Sequence, residues 1–203
     1  LKMLLDAPES ATTDLRGWKI TVGGAALGES LARAAVARGI DVFAAYGMSE
    51  TCPFLTATRL TGEAEAADDS GNITRRCRTG LPAPLVDLRI VDEQMQDVPR
   101  DGETMGELVV RAPWLAGGYV GDSQATAELW QGGYLHTRDI ATIDQQGVVQ
   151  IRDRLKDVIK TGGEWISSLL LEDLIGRHEG VAEVAVIGIA DERWGERPVA
   201  MVV

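Results

Sequence analysis

Aromatic side chains make up only 5% of this 203-residue chain, and it holds two cysteines and two histidines. With so few rings, aliphatic side chains must dominate any core. Cys52 and Cys77 stand at an unrelated spacing, which excludes a disulfide framework and supplies too few ligands for a zinc site. Two reduced thiols of a cytosolic protein is the reading that remains. Long apolar runs are missing too: none approaches the roughly 20 residues of a membrane-spanning helix. Positive charge is the minority, with 20 Lys and Arg against 31 Asp and Glu, a net charge of -11. An acidic surface repels phosphate backbones and anionic bilayers, so neither nucleic acid nor membrane is expected as the main partner. A locally basic ligand site stays open. No signal peptide opens the chain; it begins with Leu1 and ends in the strand-like run Pro198 to Val203. Both ends read as cut, and a fragment is expected.

What is present is 45% apolar and 25% charged, the balance of a globular protein. Lys19 to Val22 reads as a strand running into Gly23-Gly24. Leu27 to Arg38 carries apolar residues at helical spacing and stops at Gly39, and Val42 to Ala45 is a second strand. A strand–helix–strand unit predicts a parallel pair. Thr61 to Arg76 is polar and reads as a loop or mobile segment. From Gly80 to Ile151, short alternating runs (Val86 to Val91, Glu107 to Arg111, Val148 to Ile151) are separated by Gly-, Asp- and Pro-rich turns. That pattern predicts an antiparallel region, broken by one helix over Ser123 to Leu129. A domain boundary is placed near Asp153. Beyond it, Ser167 caps a helix to about His178, Val181 to Ile189 reads as a buried strand, and Glu196 to Val203 begins another. The fold class is therefore an α/β portion with a parallel sheet and an antiparallel barrel-like subdomain (1–153), followed by the start of a small α+β domain (154–203).

Three stretches carry chemistry. The first is the glycine turn at Gly23-Gly24-Ala25, between a strand and a helix N-terminus that offers unpaired N–H groups to an anion. A dinucleotide fingerprint would need glycine at 25, where Ala stands, and an acidic residue closing the next strand, which ends Ala44-Ala45-Tyr46. Alone, the turn favours no ligand over a simple tight turn. The second is Tyr46-Gly47-Met48-Ser49-Glu50-Thr51, directly after a strand. It exposes a stacking ring, hydroxyls for phosphate and a carboxylate for a divalent cation, although a strand end followed by a Ser or Thr cap has the same form. The third runs from His136 to Ser167. It holds Asp139, a hairpin turning over Asp144 to Gly147, and the charged segment Asp153-Arg154-Leu155-Lys156-Asp157, whose plain reading is a solvated connector. His136 has no identifiable orienting acid or nucleophile and reads as structural.

In this order and at these intervals, GGAAL, YGMSE, HTRD and DRLKDVIKTGGEWIS resemble the adenylate-forming superfamily of acyl-CoA synthetases, luciferases and peptide-synthetase adenylation domains. The resemblance covers nearly the whole chain. YGMSETCP and DRLKDVIKTGGEWISS are most similar to medium- and long-chain fatty acyl-CoA ligases. The resemblance implies ATP, Mg²⁺ and coenzyme A, with a fatty acid as the small-molecule partner. Carboxylate attack on the α-phosphate gives acyl-AMP and pyrophosphate, and CoA then takes the acyl group after the small domain rotates. Carried over residue by residue, Gly23, Gly24 and Ala25 line the adenine and acyl pocket. Tyr46, followed by Gly47, stacks on adenine. Ser49 meets the α-phosphate, and Glu50 holds Mg²⁺. Asp139 accepts the ribose hydroxyls and Arg154 contacts ribose or phosphate. Lys156 is the hinge, Gly163 borders the CoA tunnel, and Trp165 packs near the nucleotide.

The family's phosphate loop and C-terminal lysine have no match here, so the chain by itself is expected to be inactive. Arg138 stands where the family has Gly; if that position needs positive φ, Arg costs on the order of 1 kcal/mol and can displace Asp139. The alternatives are an aryl-CoA ligase, an acyl-AMP ligase serving a carrier protein, an NAD-dependent oxidoreductase, and a silent interaction module. A cytoplasmic location is expected, with peripheral membrane attachment and a homo-oligomer both allowed.

Overall fold

The computed structural model describes residues 1–59 and 69–203. After a short helix α1 (Lys2–Asp6), the chain forms β1 (Lys19–Val22), α2 (Glu29–Ala37) and β2 (Asp41–Tyr46). β1 and β2 pair in parallel, with Ile20 opposite Val42 and Val22 opposite Ala44. α2 buries Ala32 and Ala35 against Val42 and Ala44. Small alanines on the helix let its backbone lie close to the sheet. The sheet is mixed: β3 (Thr56–Ala57) adds antiparallel to β2, and β4 (Leu81–Pro82) antiparallel to β3.

Residues 61–76, read from sequence as a loop, divide. Residues 60–68 lie outside the described part, whereas Asp69–Arg76 is a helix, α3. The polar composition hid it. One residue, Ile73, is 2% exposed and joins the α2–β2 core, and the Arg76 guanidinium bonds Asp41 at 2.6 Å and the Val42 carbonyl at 3.1 Å. Tertiary anchoring outweighs weak intrinsic propensity.

The second sheet is antiparallel throughout and curls into a half-barrel. It comprises β5 (Asp87–Val91), β6 (Gly106–Arg111), β7 (Trp130–Gln131), β8 (Tyr134–Ile143) and β9 (Val149–Arg154). The ten-residue β8 is its axis, pairing with β6, β7 and β9. Irregularities of register between Glu107 and Val109 and between Ile140 and Ala141 bend the ladder, as bulges do. Leu88, Ile90, Leu108, Val110, Leu135 and Val149 pack together as its buried core. α4 (Ser123–Leu129) closes the core with Leu129, its first turn capped by Asp122, which accepts from the Ala125 N–H.

The third unit holds β10 (Ile159–Thr161), β11 (Glu164–Ile166), α5 (Ser168–Gly176), β12 (Val184–Asp191) and β13 (Gly195–Val202), in the strand order β11-β10-β13-β12. The expected buried strand at 181–189 is corrected here. β12 has Val186 at 5% exposure, but Ile187 and Ile189 are each 46% exposed. β12 lies at the sheet edge with α5 packed on it, and no described element covers the face carrying those isoleucines. Among the described residues, no helix is long and apolar enough to cross a membrane.

Candidate functional site

Parallel pairing of β1 and β2 sends their following turns, Gly23-Gly24 and Tyr46-Gly47, out at the same carboxyl end, where α/β sheets bind ligands. The shape of the second turn is set by Gly47. A Cβ there would stand 1.7 Å from the Pro53 carbonyl oxygen, so no side chain fits. Behind it, Ser49–Thr51 makes a single 3-10 turn. The Thr51 hydroxyl bonds both the N–H and the carbonyl of Met48, which fixes the direction of Glu50.

The half-barrel supplies the opposite wall. β8 and β9 place Asp139 directly across from Arg154. Asp139 is 2% exposed, and its Oδ2 accepts a hydrogen bond from the Tyr46 phenol. Arg154 Nε stands 2.9 Å from Oδ1, yet no donor is aligned on that oxygen among the described residues. The ion pair therefore leaves Oδ1 with unused acceptor capacity for a hydroxyl. Burial pushes the Asp139 carboxyl above the ordinary carboxylate value, opposed by the Tyr46 hydrogen bond and the Arg154 charge. Burial, and then the Asp139 charge, push the Tyr46 phenol far upward, so Tyr46 stays a neutral donor.

These residues frame two adjoining cavities. The inner one, about 220 Å³, is lined by Gly24, Ala25, Leu27, Tyr46, Asp139 and Arg154. The outer one, about 620 Å³, is lined by Gly23, Gly24, Tyr46, Ser49, Glu50 and Arg154. Nine of the twelve residues singled out in the sequence thus meet in one place: Gly23, Gly24, Ala25, Tyr46, Gly47, Ser49, Glu50, Asp139 and Arg154. An apolar floor, a ring, hydroxyls, a cation and two carboxylates suit a polar ligand with an aromatic end.

A divalent cation fits at Glu50. Its Oε1 accepts from the Tyr119 phenol at 2.6 Å, and no described residue donates to Oε2. Among the described residues, no group of three His, Cys, Asp or Glu gathers to cage a metal. A cation here would take most of its ligands from phosphate and water, the habit of Mg²⁺.

The other three residues lie apart. Lys156 sits in the turn between β9 and β10 with its side chain 82% exposed and lines a cavity of about 420 Å³ against α5. Gly163 and Trp165 line a further cavity of about 930 Å³ with Glu93, Asp101 and Lys160. There the Lys160 ammonium lies 5.0 Å from the Trp165 ring centroid and 2.8 Å from Glu93. Gly163 has φ +87°, so its backbone alone excludes most side chains.

Arg138 does occupy the left-handed region, at φ +59°. His136, read as lacking an orienting acid, has one: Glu107 Oε2 lies 2.9 Å from its Nδ1, and the other Glu107 oxygen accepts from the Arg138 N–H at 3.2 Å. His136 is buried and lines neither cavity, in keeping with a structural role. Sequence reading did not single out Tyr119, whose phenol reaches Glu50 across 69 positions of the chain.

Residues 1–120 match the AMP-binding enzyme family, and residues 170–203 match the AMP-binding enzyme C-terminal domain. The chain is 42% identical over 186 residues to the long-chain-fatty-acid–CoA ligase of Thermus thermophilus, covering 91% of this chain and 34% of that one. It is 36% identical to the indoleacetate–CoA ligase of Aromatoleum aromaticum, covering all of this chain and 38% of that one. ATP-bound MatB from Rhodopseudomonas palustris superposes with a TM-score of 0.80 at 30% identity, covering 99% of this chain and 38% of that one. The chain thus spans about a third of the length of the curated relatives it matches. By sequence and by fold, it belongs to the AMP-binding enzyme family.

Proposed function

We propose that the protein carrying this chain is an ATP-dependent fatty acid–CoA ligase, which adenylates a carboxylate with release of pyrophosphate and then passes the acyl group to CoA. The observation that supports it most is the Tyr46–Asp139–Arg154 arrangement on the wall of the cavity at the ends of β1 and β2. In this reading adenine stacks on Tyr46 over the Gly23-Gly24-Ala25 floor. The ribose hydroxyls bond Asp139, whose Oδ1 has acceptor capacity to spare, and Arg154 reaches ribose or phosphate. The Ser49 hydroxyl donates to the α-phosphate. Glu50 holds Mg²⁺, which when bound neutralises developing phosphate charge. The protein's share is positioning and fixed charge; a carboxylate nucleophile needs no general base.

The domain boundary is placed at 153/154, with Lys156 as hinge. Gly163 borders the CoA path and Trp165 serves the nucleotide. Trp165 lies in a separate cavity in this arrangement, so its role requires the small unit to rotate. A fatty acid is favoured by the 42% identity to a long-chain enzyme. The match to an indoleacetate–CoA ligase supports an aryl-CoA ligase as the second reading. Family membership leaves the oxidoreductase alternative without support.

The test is pyrophosphate release by the intact gene product with ATP, Mg²⁺ and CoA, offered acetate, octanoate, palmitate or benzoate. Activity peaking on an aliphatic chain, and lost in Asp139→Ala, is expected. Activity confined to benzoate would replace the acid and keep the chemistry. Absence of release with every acid would remove the ligase reading.

A further inference from the structure

The loop between β6 and α4 reaches back onto the turn that carries Glu50, joining residues 69 positions apart through the Tyr119–Glu50 hydrogen bond. The Ala116 N–H donates to the Glu50 carbonyl at 2.8 Å, and the Tyr119 phenol donates to Glu50 Oε1 at 2.6 Å. One contact fixes the backbone of Glu50 and the other its carboxylate. The loop is itself held from α4 and β7: the Tyr119 N–H donates to the Thr126 hydroxyl of α4 at 2.9 Å, and the indole N–H of Trp130 in β7 donates to the Ala116 carbonyl at 3.2 Å. At Gly118 the backbone has φ +155°, and an added Cβ would stand 2.4 Å from Thr126 Cγ2. The phenol thus arrives on a braced support.

We infer that the Tyr119 hydroxyl is a positioning group for the Glu50 carboxylate, holding Oε1 so that Oε2 faces a divalent cation at the mouth of the outer cavity. The inference rests on the reading that Glu50 is the metal carboxylate. A glutamate has three rotatable bonds, and freezing them before the cation arrives reduces the entropy cost of binding. Tyr119 is 43% exposed, so it has little core to support, and its hydroxyl can be removed without threatening the fold.

The test is a titration of the intact gene product with Mn²⁺ in the presence of an ATP analogue with a methylene bridge between its α and β phosphorus atoms. Bound Mn²⁺ is read by electron paramagnetic resonance in wild type, Tyr119→Phe, Glu50→Gln and the double variant. Loss of one hydrogen bond to a charged group predicts Mn²⁺ binding weaker by roughly tenfold in Tyr119→Phe. The thermal midpoint and metal-free analogue affinity should be unchanged, and Tyr119→Phe should cause no further loss in the Glu50→Gln background. Wild-type or tighter Mn²⁺ binding in Tyr119→Phe, with Glu50→Gln weakened, overturns the inference alone; tighter binding would make the phenol a competitor of the metal. A Tyr119→Phe loss that persists without the Glu50 carboxylate also overturns it. Unchanged binding in Glu50→Gln removes the metal reading and the inference together.

Discussion

The phenol of Tyr46 donates its hydrogen bond to the buried carboxylate of Asp139, 93 residues further along the chain. That bond ties the parallel end of the mixed sheet to the axis strand of the half-barrel.

The Asp139 carboxyl lies above its ordinary value, chiefly through burial. A carboxyl whose folded pKa is raised binds its proton more tightly in the folded state than in the unfolded chain. Its favourable contribution is complete below the unfolded value and is lost as pH rises through the folded one. Asp139→Asn removes that titration. The stability of wild type relative to Asp139→Asn should therefore be greater at about pH 4 than at about pH 7. Urea midpoints at the two pH values check this; a difference that is flat or reversed would mean that Tyr46 and Arg154 outweigh burial.

Gly47→Ala asks for room that is absent, since the new Cβ would meet the Pro53 carbonyl at 1.7 Å. The turn must open, at a cost of about 3 kcal/mol. A lowered urea midpoint together with weakened nucleotide binding is expected, because Tyr46 and Glu50 stand on either side of the displaced backbone.

The strand–glycine–helix unit and the helices at 123–129 and 168–176 were legible because local patterning and caps agree with the final fold. Ser167 shows this well: its hydroxyl accepts from the Leu170 N–H at 3.1 Å. The cluster around Tyr46 was legible through resemblance, because motifs far apart in sequence carry it. α3 was hidden because a single isoleucine anchors a polar helix. The positions of Lys156, Gly163 and Trp165 depend on how the small unit sits on the half-barrel, which no local pattern encodes. Tyr119 meets Glu50 through a loop held by Thr126 of α4 and Trp130 of β7, contacts that no local pattern encodes.

Arg138 sits at φ +59° within β8, at the register irregularity opposite Glu107 and Val109, a conformation that costs a residue bearing a Cβ roughly 1–2 kcal/mol. Glycine would relieve the strain while adding about 0.5–1 kcal/mol of unfolded-state entropy. The net expectation for Arg138→Gly is a gain of about 0.5–1 kcal/mol in stability, with tighter AMP binding as Asp139 settles. Thermal unfolding with and without AMP separates the two effects. A lower midpoint would mean that the Arg138 side chain supplies more than its backbone costs.

Asp153 closes the junction between β9 and α5. It is 2% exposed; its Oδ2 accepts from the N–H and hydroxyl of Ser168 at 2.6 and 2.9 Å, and its Oδ1 from the Arg154 N–H at 2.8 Å. The carboxylate therefore satisfies orphan donors at the start of α5 and fixes the strand residue that bears Arg154. Asp153→Ala leaves those buried donors unmade and should cost about 2–4 kcal/mol. Ser168→Ala removes only the hydroxyl and should cost about 1 kcal/mol. Because Arg154 borders both site cavities, Asp153→Ala should weaken nucleotide binding more than Ser168→Ala. Urea unfolding and AMP titration of the two variants test this together. Equal losses would assign the anchoring of α5 to the Ser167 cap and the neighbouring packing instead of to Asp153.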